Sequence, residues 1–132
     1  MFDKGYVHLY TGSGKGKTTA AIGLAVRAAG AGLNVLFLQF MKKGQFSELT
    51  AFEHLAENIT VEQYGSATFY IPLKSSYIEH RGFVKKGYDR ALDAVISGKY
   101  QVVVLDEIIN ALSFNLLCYE RYNFIIGKKI KT

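Results

Sequence analysis

The 132-residue sequence holds one cysteine, one proline and no tryptophan. A lone Cys118 excludes an intrachain disulfide and a thiolate-built metal cluster, and it is expected to pack as a small apolar side chain. His8, His54 and His80 are scattered without ligand spacing, so none marks a metal site. No apolar run reaches the ~18 residues needed to cross a bilayer, and Met1-Phe2-Asp3-Lys4 has no signal-peptide core. A cytoplasmic protein with no membrane contact is expected. The net charge of +5 does not mark a nucleic-acid binder, because Glu120, Arg121, Lys128, Lys129 and Lys131 supply +3 of it. No basic stripe interleaved with aromatics accompanies the excess, so no nucleic-acid partner is expected. Apolar residues make up 49% of the chain and charged residues 20%, which excludes disorder as the main state and suits one domain.

What is present alternates between two periods. Residues 6–10 read as a short strand leading into glycines 12, 14 and 16. Residues 18–29 are helix formers with Ile22, Ala25, Val26 and Ala29 at helical spacing, stopped by Gly30 and Gly32. Residues 35–40 form a continuous apolar run, as in a strand buried on both faces. Ser47 is placed to cap a helix carrying Leu49, Phe52 and Leu55, and residues 59–64 form the third strand. Residues 65–77, around Pro72, show no period and read as a loop. A long helix follows with Phe83, Tyr88, Ala91, Leu92, Val95 and Ile96 as its stripe and Gly98 as its stop. Residues 100–105 form the fourth strand, and 108–117 read as helical. Alternating strands and helices imply parallel pairing and a layered α/β sheet.

The strongest local signal is Thr11-Gly12-Ser13-Gly14-Lys15-Gly16-Lys17-Thr18. Thr11 stands where the usual phosphate-loop pattern has glycine, yet the physics of the loop survives. Its glycines let backbone N–H groups curl inward on an anion, and the helix beginning near Lys17 adds its positive end. Lys17 supplies a mobile charge, Lys15 a second cation, and Thr18 a hydroxyl where magnesium would sit. The second signal is the apolar strand ending in Asp106-Glu107, where phosphate-loop proteins place a magnesium-directing carboxylate, and either acid could serve. Gln39 and Lys42 follow the second strand, where α/β sheets place ligand contacts. Arg27 lies on the first helix, well past the loop.

Four stretches carry a resemblance: Tyr-Thr-Gly-Ser-Gly-Lys-Gly-Lys-Thr-Thr-Ala-Ala, Gly-Leu-Ala-Val-Arg-Ala-Ala-Gly, Val-Leu-Phe-Leu-Gln-Phe-Met-Lys and Val-Val-Leu-Asp-Glu-Ile. Over residues 5–117 the chain resembles the phosphate-loop class of ATP:corrinoid adenosyltransferases. The resemblance implies a three-layer P-loop NTPase (RecA-like) fold with a mostly parallel sheet. It implies transfer of the 5′-deoxyadenosyl group of ATP to the cobalt of a reduced corrinoid, cob(I)alamin, in adenosylcobalamin biosynthesis or salvage. Cobalt attacks C5′ and triphosphate leaves, so the protein positions groups and neutralises charge and supplies no nucleophile. Carried over, Gly12, Ser13, Gly14, Lys15, Gly16, Lys17, Thr18 and Thr19 wrap the triphosphate and Arg27 touches it. Thr18 and Glu107 hold Mg2+ with Asp106 nearby, and Lys15, Lys17 and Glu107 are the catalytic set. Phe69 and Tyr70 are the nearest match to the family's corrinoid-facing aromatics.

Family members continue past the Asp-Glu strand with further strands, and nothing similar follows Leu117. The last strands are therefore expected to be missing, with residues 1–118 a P-loop nucleotide-binding domain and 119–132 an atypical basic tail. A homodimer and a reductase are the expected protein partners. The competing readings are a nucleotide hydrolase that uses Glu107 to orient water, and a non-catalytic ATP-binding module.

Overall fold

A computed structural model describes residues 4–67 and 76–127. Three parallel strands form the sheet, in the order β2-β1-β3: β1 is Val35–Phe40, β2 is Ile59–Tyr64 and β3 is Val102–Asp106. Val35 pairs with Ile59 on one side and with Val102 on the other, which fixes the register. A run that is apolar except for Gln39 explains the central place of β1, whose residues are all buried.

Alternation along each strand then sorts the helices. Val35, Phe37 and Ile59 face helices α1 (Lys17–Gly30) and α2 (Ser47–Glu53), meeting Ala21, Ala25 and Phe52. Leu36, Leu38 and Phe40 face the other way, toward α3 (Tyr77–Ser97), α4 (Ile108–Ser113) and α5 (Tyr119–Gly127). Helices thus cover both faces of a parallel sheet, the expected three-layer α/β architecture.

Close approach of α3 depends on Gly87. A Cβ there would sit 2.6 Å from the Phe40 ring and 3.0 Å from Tyr64. Beside this contact the Arg90 guanidinium donates to both carboxylate oxygens of Glu62, at 3.0 and 3.1 Å, and to the Tyr100 hydroxyl at 3.1 Å. The Tyr64 hydroxyl also donates to Glu62, at 2.7 Å. Burial pushes the Tyr64 phenol up to about 12, helped by its hydrogen bond to Glu62. Burial alone would raise Glu62, but the hydrogen bonds from Arg90 and Tyr64 outweigh it and hold the carboxyl below its ordinary value.

Several expectations are corrected. Residues 6–10 form no strand, and Tyr6 and Leu9 are 75% and 59% exposed. Their composition suits a strand, but β-propensity is realised only against a ladder partner, and among the described residues none pairs with them. Ser47 is the first residue of α2, not a side-chain cap. Val26 and Ile96 point outward, so the stripes of α1 and α3 are narrower than their spacing suggests. The helix after β3 stops at Ser113, not 117, because Asn115 turns left-handed at φ 56, a conformation asparagine tolerates. Residues 119–127, read as part of a tail, form α5, which buries Tyr122 and Ile125 in the α3 cluster. Cys118, expected to pack inside, is exposed. Phe69 and Tyr70 lie outside the described residues.

Candidate functional site

Residues 12–18 enter α1 through a backbone few side chains accept. Gly14, Lys15 and Gly16 have φ of 63, 64 and 72, so a lysine shares the left-handed region with two glycines. Such strain, about 1–2 kcal/mol for a residue with a Cβ, persists where the surroundings impose it, often at functional sites. Gly16 precedes α1 with no side-chain cap, and the first turn of the helix carries no acid. The uncapped N–H groups and the helix dipole therefore face the loop as a positive end. Lys17 folds back, donating to the carbonyl of Gly12 and to that of Gly14 at 3.3 Å. Its ammonium holds the loop closed on itself and can exchange these carbonyls for stronger anionic acceptors. Ser13, Lys15 and Thr19 are exposed around the loop.

The loop is tied to the end of β3. Thr18 Oγ1 donates to Asp106 Oδ1 at 2.8 Å, and Lys42 Nζ donates to Asp106 Oδ2 at 2.7 Å. The Asp106 side chain is 7% exposed and that of Lys42 19%, so the pair is largely withdrawn from water. Of the two acids at this strand end, Asp106 meets the loop. Glu107, left-handed at φ 67, instead accepts a hydrogen bond from Asn110 one turn along α4. Thr18 thus bonds directly to Asp106, one of the two acids expected near the metal, while Glu107 turns toward α4.

Lys42 is delivered by a turn locked from three sides. Met41 takes φ 58 after β1, and its N–H donates to the Tyr64 carbonyl at 2.8 Å. Gly65 packs against the 41–42 peptide so closely that a Cβ would lie 2.5 Å from the Lys42 nitrogen. Gln63 accepts from the Gly44 N–H and donates both to its carbonyl and to Gln39. Gln39, wholly buried, donates in turn to Glu48 of α2 at 2.9 Å. Gln39 was placed among ligand contacts by its position, and it is an organiser of the β1 and β2 ends.

Arg27 does not join this group. It is exposed in the last turn of α1, ten residues beyond Lys17, which is about 15 Å along a helix axis. On the other flank a cleft of about 260 Å³ runs between Leu9 and Thr11, Ile109 and Leu112 of α4, and Tyr119 and Tyr122 of α5. Sequence reasoning missed the left-handed Lys15, the Met41 turn and the Lys42–Asp106 pair. For the turn, Gly65 next to a strand end was the one available sign.

The family described as ATP:corrinoid adenosyltransferase BtuR/CobO/CobP matches residues 3–131, running through α5 and past the expected limit at Leu117. The uncharacterized protein all2391 of Nostoc sp. is 36% identical, covering 86% of this chain and 33% of that protein. The corrinoid adenosyltransferase CobA of Salmonella typhimurium is 55% identical over 40 residues, 30% of this chain and 20% of that enzyme. A corrinoid adenosyltransferase of Escherichia coli is 52% identical over 40 residues. The chain therefore matches only a minor share of the length of each of these relatives.

Proposed function

This chain belongs to the ATP:corrinoid adenosyltransferase family, and from that premise we propose that it moves the 5′-deoxyadenosyl group of ATP to the cobalt of a reduced corrinoid and releases triphosphate. The observation that carries the reading is the hydrogen bond from Thr18 to Asp106, which joins an anion-binding loop to an acidic strand end. In this reading the N–H groups of the loop and the first turn of α1 hold the triphosphate. Lys17 leaves the Gly12 and Gly14 carbonyls for phosphate oxygens, and Lys15 adds charge at the rim. A leaving group with all three phosphates intact gathers charge along its length, and two lysines two residues apart suit it.

Thr18 and Asp106 offer two hard oxygens 2.8 Å apart, a donor set that fits Mg2+. Magnesium there would neutralise phosphate charge, and Glu107 stands next in line to orient its surroundings. Phe69 and Tyr70, which follow β2 in the chain, are proposed to face the corrinoid, and a reductase to supply the reduced cobalt. A cytoplasmic location and a homodimer complete the proposal. Among the described residues no helix is long and apolar enough to cross a membrane.

The test is spectroscopic. The protein, Mg-ATP and cob(I)alamin under strong reductant should give the visible spectrum of adenosylcobalamin, and Lys17→Ala should slow its appearance. No spectral change at saturating Mg-ATP would contradict transfer.

A further inference from the structure

Both oxygens of Asp106 are already engaged, one by the Thr18 hydroxyl and one by the Lys42 ammonium. The hydroxyl can keep its bond while its own oxygen turns to a metal. The ammonium cannot share in this way. It lies 2.7 Å from Oδ2, and a divalent ion on the same carboxylate would face a like charge a few ångströms away in a partly desolvated site. Lys42 therefore stands where a divalent cation would otherwise draw its charge compensation. Its backbone is fixed by Met41 and Gly65, while a lysine's four-carbon stem has the rotatable bonds to carry its ammonium elsewhere. The Phe46 ring, 5.6 Å from Nζ, offers a second contact along that swing.

We propose that Lys42 is a resident, displaceable cation of the metal site. It occupies Asp106 until metal and nucleotide arrive together, then hands the carboxylate to the metal and moves its ammonium to the triphosphate. The inference rests on the nucleotide-binding reading and adds to it a reason for ordered assembly. Metal alone is opposed, because it must strand the lysine. Metal with ATP is favoured, because the nucleotide brings the acceptor the lysine needs. The two ligands are thus positively coupled through one side chain.

The probe is Mn2+, titrated into the protein alone and with ATP, followed by calorimetry and by the electron paramagnetic signal of the free ion. Lys42→Met should bind Mn2+ alone about tenfold more tightly than the unaltered chain, the size expected when one like charge is removed from a half-buried site. The same variant should bind Mg-ATP about tenfold more weakly, having lost one charge-assisted phosphate contact. Lys42→Arg, which keeps the charge, should resemble the unaltered chain toward Mn2+. Lys42→Met leaves a buried carboxylate without its cation and lowers the melting temperature, so the rise in Tm on adding Mn2+ is read as well. That rise should be larger in Lys42→Met than in the unaltered chain. Equal Mn2+ affinity and an equal Tm rise in the two proteins would overturn the proposal. The Mn2+ arm involves no corrinoid, so its result stands apart from whether adenosyl transfer is observed.

Discussion

Asp106 brings the glycine-rich loop and the β1 turn to one carboxylate, and each part of the candidate site can be tested by itself. Lys17, held by two loop carbonyls, is the residue whose removal should be felt first. Lys17→Ala should weaken Mg-ATP binding by about 1.5–3 kcal/mol, the worth of a charge-assisted contact, whereas the exposed Lys85→Ala should leave it unchanged. Calorimetry decides the comparison, and equal losses would remove the loop from the site. Lys17, Thr18 and Asp106 were legible because each sits at a fixed offset from a strand or helix end. The Lys42–Asp106 pair was not, because it joins two strand ends 64 residues apart, and only the sheet register brings them together. Arg27, which the family resemblance implies at the phosphates, stands in the last turn of α1, about 15 Å along the helix axis from Lys17.

Strands β1 to β3 and helices α1 and α3 were readable from the periods of their apolar residues, since local pattern and tertiary burial agree there. Residues 6–10 have the same local pattern and no partner, so the pattern alone misled. The turn after β1 was invisible for another reason, being built by backbone contact with Gly65 instead of by side chains. Gly65→Ala should cost about 1–3 kcal/mol, as overpacking against fixed backbone does, and should lower Tm. An unchanged melt would show that the 41–42 turn yields easily. The β2–α3 seam has its own pH signature. The lowered pKa of Glu62 contributes stability above its ordinary value near 4.5, lost as pH falls through the folded value. The raised pKa of Tyr64 contributes stability below its ordinary value of 10.0, lost as pH rises toward about 12. Denaturant midpoints across pH should therefore fall at both limbs. Glu62→Gln should flatten the acid limb and Tyr64→Phe the alkaline one, and unaltered limbs in those variants would put the titrating groups elsewhere.

At the scale of the whole molecule, β3 pairs with β1 on one side only among the described residues, and its run of Val102, Val103, Val104 and Leu105 carries no charge. An apolar sheet edge of this kind invites pairing with another chain. Sedimentation should show self-association that grows with concentration, and a monomer across the accessible range would contradict the proposed dimer. The proposed transfer requires ATP to be cut at C5′, whereas a hydrolase built on the same loop would cut it at a phosphorus. The most direct measurement is phosphorus NMR of the products formed from Mg-ATP with and without cob(I)alamin. The account predicts inorganic triphosphate, formed in step with adenosylcobalamin and only when the corrinoid is present. ADP and orthophosphate as the main products, released without corrinoid, would contradict it and mark the chain as a hydrolase.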